Sequence, residues 1–299
     1  MKKKVKILIL ILGVILLLTS IGANVYFLFF NSHSHSYLET DEQVYIMESG
    51  IIKNNLEFAQ GEDMVLKYDF DNDEYAKLVE AYKIDAIAGN GSEFEKSLNL
   101  MNEFSKRLYH ESNFEKKIDM NAISLLEYSL DNKNHGINCR NKAQILNEMC
   151  LALGIYSRKV WIMPNSVYDN ECHVVNEVWD SSLNKWIMLD ITKNEYWVDE
   201  KGTPLSIIEI REKGGMREFC TPVKPEEKLS DLKKLKSTHI EDFLYIMKNM
   251  QFMEYCAINT VGESDLIYLL FPKNMDTDYK YIISKSSVIK PPLFKNANQ

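Results

Sequence analysis

Glycine and proline are scarce, 12 and 7 in 299 residues, and the chain shows no internal repeat. That composition excludes a collagen-like chain, a Gly/Ser linker and a Pro-rich disordered tail. No two of the five cysteines, at 139, 150, 172, 220 and 256, stand at a C-x-x-C spacing. Neither a zinc ribbon nor a thioredoxin-type site is therefore expected. The count is odd, which leaves at least one thiol unpaired within the chain. Positive charge is also lacking: 35 Lys+Arg, less the four at positions 2, 3, 4 and 6, leaves 31 against 43 Asp+Glu, a net of −12. A basic surface for nucleic acid is not expected.

What is present suits one sizeable core with appendages, with 45% apolar and 26% charged residues. The N-terminus departs from that average. Lys2, Lys3, Lys4 and Lys6 precede an uncharged stretch from Ile7 to Phe30, long enough as a helix to cross roughly 30 Å of hydrocarbon. The reading is a transmembrane anchor in 1–36, with the N-terminus cytoplasmic by the positive-inside rule and the rest outside the cell. A cleaved secretory signal is the alternative. His33 to Ser36 and Glu39 to Glu42 read as a solvated stalk.

Residues 37–120 form a mostly helical lead-in, since Tyr75, Leu78, Val79 and Tyr82 recur at helical spacing, as do Leu98, Met101, Phe104 and Leu108. Ser92 with Glu95 is a capping box opening a helix over 93–109, and a short helix is expected over 121–128. Asp69, Asp71, Asp73 and Glu80 sit at calcium-loop spacings, but Glu74 stands where the loop needs glycine. A turn with solvated acids is the better reading.

From Ala143, the residues Leu146, Met149, Cys150 and Leu153 form one apolar stripe, and Gly154 stops the helix. The helix then begins near Cys139. A thiol at a helix N-terminus meets unpaired N–H groups and the positive end of the dipole, which favours thiolate. Gly136 offers the loop freedom to turn. Residues 173–180 and 185–190 read as two strands joined by a four-residue turn. Asp180 then faces Lys185, and Asp190 lies opposite Val175. His173 and Val175 share a face, so the His173 imidazole and Asp190 carboxylate become diagonal neighbours. A base with its orienting acid is what a nucleophile requires.

Gly136-x-x-Cys139 opening a helix that ends Leu153-Gly154-Ile155, then Arg158 starting a strand, His173 on a Glu-containing strand and Trp186-x-x-Leu189-Asp190 resemble the transglutaminase-like superfamily over about residues 121–200. Val175 stands where many members carry Trp, and Ile191-Thr192 where Pro-Thr is common. The resemblance implies an α+β fold of papain-like type in 121–299, the cysteine helix packed on an antiparallel sheet. It also implies a triad of Cys139, His173 and Asp190 acting on peptide or protein amides through a thioester, with water or an amine as acceptor. No metal or cofactor is called for. The backbone N–H of Cys139 is one oxyanion donor, with Asn134 and His135 as candidates for the second. The alternative is an inactive binding module, its cleft blocked by Trp161, Trp179 or Trp197. Beyond Trp197, residues 203–235 are expected to wrap the core, 239–253 to be helical, and 266–271 and 279–283 to be strands.

Overall fold

A computed structural model of the chain describes residues 2–34, 41–166, 169 and 171–292. The expected stalk falls largely on 35–40, outside the described residues. Contacts divide the chain into two units, Met1–Met47 and Glu48–Gln299.

The first unit contains helix α1 (Lys2–Ser34) and the start of α2 (Asp41–Asn54). The expected transmembrane helix is not found: among the described residues no helix is long and apolar enough to cross a membrane. Helix α1 is mostly apolar over 11–26. Thr19, Ser20 and Asn24 interrupt its apolar character. Thr19 and Asn24 turn their polar groups back onto the carbonyls of Ile15 and Ser20.

In the second unit the elements are β1 (Lys67–Tyr68), α3 (Asp73–Tyr82), α4 (Ile84–Ala88), α5 (Glu93–Ser105), α6 (Ala122–Asp131), α7 (Cys139–Ala152), β2 (Ser157–Met163), β3 (His173–Asp180), β4 (Lys185–Asp190) and β5 (Glu195–Asp199). There follow α8 (Ile207–Met216), β6 (Cys220–Val223), α9 (Leu232–Thr238), α10 (Ile240–Lys248), β7 (Phe252–Cys256), β8 (Ile258–Asn259), β9 (Ile267–Leu270) and α11 (Ser286–Ile289). Seven strands form one antiparallel sheet in the order β6-β5-β4-β3-β2-β7-β9. The two-stranded pair β1-β8 is parallel. The architecture is α+β.

Helices cover both faces of the sheet. Neighbouring residues of β3 show it: Asn176 donates to the Ala143 carbonyl of α7, while Glu177 accepts from the Ile207 N–H of α8. Strands β3 and β4 are accordingly buried almost throughout, the pattern of strands enclosed on both sides. Leu100, Met101 and Phe104 of α5, Leu125 and Leu126 of α6, and Leu146, Met149 and Cys150 of α7 pack with Val178, Ile187 and Leu189 in the main core. Each such large side chain contributes about 1.5–3 kcal/mol by leaving water.

Ser92 and Glu95 do form the capping box of α5, but the helix ends at Ser105. The calcium-like spacing is a turn: Asp69 accepts from the Asp71 N–H and the Thr260 hydroxyl, and Asn72 caps α3. The helix expected over 239–253 stops at Lys248. Gln251 donates to the Met163 carbonyl and Phe252 pairs with Met163 in the sheet. An edge offered by β2 overrides the helical spacing there. Residues 279–283 are not a strand; Ile282 and Ile283 make isolated bridges to Leu269 and Glu62.

Candidate active site

Helix α7 is amphipathic in sequence, yet every residue from Asn141 to Leu151 is buried. Most of its polar groups are satisfied internally, the Gln144 and Asn147 amide oxygens excepted. Lys142 donates to the Leu108 carbonyl, Gln144 to Glu148 and Gly262, and Glu148 accepts the Ala122 and Gly262 N–H groups. Asn138 is the N-cap, in a reciprocal box with Asn141. That box makes Cys139 the first helical residue, whose N–H has no partner within the helix. Gly136 is needed for space, not for a left-handed turn: a Cβ there would lie 2.6 Å from the Glu111 Cβ. Gly136→Ala is expected to destabilise the protein by about 1–3 kcal/mol, a cost typical of overpacking. Urea unfolding checks this, and an unchanged midpoint would mean that Glu111 moves aside freely.

The hairpin register is that of the sequence reading, Asp180 opposite Lys185 and Asn176 opposite Leu189. His173 opens β3 and Asp190 closes β4, so both lie at one end of the sheet. His173 Nε2 is 2.6 Å from Asp190 Oδ2, with the two side chains 3% and 0% exposed. Asp190 Oδ1 accepts the Thr192 and Lys193 N–H groups at 2.9 and 3.2 Å. The Cys139 sulfur lies near enough to the His173 ring and the Val174 N–H for both to favour its thiolate. With Nε2 held by Asp190, Nδ1 is the nitrogen left for the thiol.

Burial pushes the Cys139 thiol up, but the hydrogen bond and charge of His173 and the Val174 N–H outweigh it, so its pKa falls below the usual value. Burial pushes His173 down, yet Asp190 and Cys139 raise it to about 10. Burial raises Asp190, while the His173 charge and hydrogen bond lower it overall. All three shifts favour a thiolate–imidazolium pair beside the Asp190 carboxylate. Burial raises Cys150 to about 11 and Cys220 to about 12, and raises Cys172 and Cys256 as well. All five thiols are free, and Cys139 is the one held toward thiolate.

A cleft of 870 Å³ opens on this pair, lined among others by His110, Trp161, Cys172, Lys193 and Tyr245. The tryptophans do not block it. Trp161 lines the cleft, Trp197 is buried and stacked on Phe243, and Trp179 packs on Trp186. Asn134 and His135, the expected second oxyanion donors, are not among its lining residues. His135 instead stacks on Tyr128 at 4.4 Å and bonds the Tyr128 carbonyl.

Residues the sequence reading passed over complete the site. Tyr245, on α10, sets its ring edge-on to His173 at 5.4 Å and 70°. Glu195 faces Asp190 across β4-β5, fully buried, and neither of its oxygens has a hydrogen-bond partner among the described residues. Burial, with Asp190 and Asp242 nearby, raises it well above the usual carboxylate range, which favours its neutral form. Its one sequence signal was an acid at the head of the apolar run Tyr196-Trp197-Val198. Burial lowers Lys142 to about 8. Among the described residues no group of three or more His, Cys, Asp and Glu side chains is placed to hold a metal ion.

Arg158 has a structural place. It bonds Glu177 through Nε at 3.0 Å and NH2 at 2.6 Å, beneath the rings of Trp186 and Tyr255 at 3.9 and 4.8 Å. Glu177→Ala leaves that guanidinium buried and unpaired, and a loss of about 3–5 kcal/mol is expected. A chemical denaturation midpoint within error of wild type would contradict this.

Residues 80–191 match the family model of the transglutaminase-like superfamily. Over those residues the chain is similar to a transglutaminase-like core. The match takes in α5 and α6 as well as the helix and hairpin of the site. No curated protein matches. Among solved structures, a candidate cysteine protease from Cytophaga hutchinsonii aligns with a TM-score of 0.31 at 17% identity, over 50% of this chain and 49% of that one. A TGase aligns with a TM-score of 0.24 at 13% identity, over 56% of this chain and 38% of that one. The chain thus spans about half or less of the length of these structures, and likeness at that level says nothing of activity.

Proposed function

We propose that this transglutaminase-like core performs thiol-dependent acyl transfer or hydrolysis on peptide or protein amides, with Cys139 as nucleophile, His173 as its acid–base partner and Asp190 as the orienting carboxylate. The observation that carries the reading is His173, held by Asp190 at 2.6 Å, lining one cleft with the helix-start Cys139. In this reading the Cys139 proton passes to His173 and the thiolate attacks the carbonyl. The imidazolium then delivers that proton to the departing amine, leaving a thioester on Cys139 and a neutral ring. His173 next removes a proton from water or an amine, which attacks the thioester and restores the thiolate–imidazolium pair.

Incubation with p-nitrophenyl acetate tests this. An acetyl group on the peptide containing Cys139, found by mass spectrometry and absent in Cys139→Ala, is the expected result. Faster loss of that acetyl group on adding a primary amine marks transfer, and an unchanged rate marks hydrolysis. Acetylation of other cysteines while Cys139 stays free would sink the reading.

A further inference from the structure

Acyl transfer at Cys139 drives a pair of electrons onto the carbonyl oxygen, and that oxyanion needs N–H or O–H donors set before the reaction begins. The unpaired N–H of Cys139 is one donor. The second must lie on the α7 side of the sulfur, because His173 has to face the leaving group on the other side. Tyr245 rests on the His173 ring and so belongs to the base side. Asn138 accepts the Asn141 N–H through Oδ1 in its capping box, and Arg140 is paired with Glu263.

The segment 108–111 runs along the loop that enters α7. Ile137 donates to the Tyr109 carbonyl at 3.0 Å, Glu111 donates to the Ile137 carbonyl at 3.1 Å, and Lys142 of α7 bonds the Leu108 carbonyl at 2.7 Å. His110 is held between these anchors and lines the cleft beside Cys139. Its Nε2 is 3.1 Å from the Ser112 hydroxyl. A hydroxyl donated to Nε2 places the ring proton on Nδ1, and that N–H has no partner among the described residues. Burial and the charges of Lys142 and His173 lower the His110 pKa, with Asp190 opposing. Both influences favour the neutral ring, a donor that adds no cation to compete with His173 for the thiolate.

We propose that His110 is a catalytic residue of this site, its imidazole N–H being the second donor to the oxyanion formed when Cys139 attacks a carbonyl. The proposal rests on the acyl-transfer reading above. The Cys139 thiolate forms the S–C bond as the C=O π pair moves to oxygen, where the Cys139 and His110 N–H groups hold the charge. When that pair returns, C=O re-forms and the bond to the leaving group breaks. A phenolate leaves as the anion, whereas an amine takes its proton from His173.

Two reagents separate this role from others. p-Nitrophenyl acetate acylates Cys139 through an oxyanion, whereas iodoacetamide alkylates it by displacement at carbon with no oxyanion. In His110→Ala, Cys139-dependent release of p-nitrophenolate is expected to slow on the order of 10²-fold, while alkylation stays within about twofold. His110→Gln, which keeps a side-chain N–H, is expected to recover part of the acylation rate. Unchanged acylation in His110→Ala overturns the proposal, and so does equal slowing with both reagents, which would make His110 a packing residue. If the wild type releases no p-nitrophenolate that depends on Cys139, the acyl-transfer reading itself fails and this proposal falls with it.

Discussion

Replacing His173 with alanine is expected to turn Cys139 into an ordinary buried thiol. The His173 hydrogen bond and charge are the main influences that outweigh burial at the Cys139 thiol; without them burial dominates. At pH 6 the thiolate fraction, and with it the rate of iodoacetamide labelling, should fall on the order of 10²–10³-fold, toward that of a thiol titrating near 8.5. Acyl transfer should fall further, on the order of 10⁴-fold, because the proton donor to the leaving group goes as well. The labelling profile against pH distinguishes this from misfolding: His173→Ala should regain labelling above pH 9. Equal labelling of wild type and variant at pH 6 would dispose of the ion pair.

Asp190→Asn is the second large effect. Asp190 is the main opposing influence to burial at His173, so its neutral replacement should bring the imidazole from about 10 to below the ordinary histidine value. An amide also offers the wrong partner to Nε2–H if its nitrogen turns inward. A loss on the order of 10⁴-fold in turnover is expected, as for removal of the orienting acid in other triads, together with an alkaline shift of Cys139 labelling. Labelling that persists at pH 6 in Asp190→Asn would show that His173 holds its proton without the carboxylate.

The same shifts set a stability window. His173 has its pKa raised to about 10 on folding, so its contribution is complete below about 6.5, the ordinary unfolded value, and is lost as pH rises through about 10. Asp190 has its pKa lowered, so its contribution is present above the unfolded carboxylate value and is lost as pH falls through the folded one. Wild type should therefore lose more stability than Asp190→Asn when the pH is raised from 7 to 10.5. Parallel urea midpoints for the two proteins over that range would contradict the assignment.

Much of the site was legible along the chain because its determinants are local. Where α7 begins depends on Asn138 and Asn141, three residues apart, and on the stop at Gly154. The hairpin register follows from a four-residue turn and from alternation with period two, which carry His173 and Asp190 to one face. Gly136 was marked correctly but for the wrong reason, since the body it must avoid, Glu111, is brought there by a separate segment.

What the sequence by itself determined, then, is the helix-start thiol and the strand pair behind it, whose hydrogen bonds and periodicities close within a few residues. Tertiary structure alone decided the rest. It ended α10 at Lys248, because β2 offered an unpaired edge to Phe252. It buried the polar face of α7, set Tyr245 on the His173 ring, placed Glu195 behind Asp190 and brought His110 beside Cys139. Each of these depends on which distant surfaces meet, and that choice is made by burial and hydrogen bonding summed over the whole core, which no local spacing records.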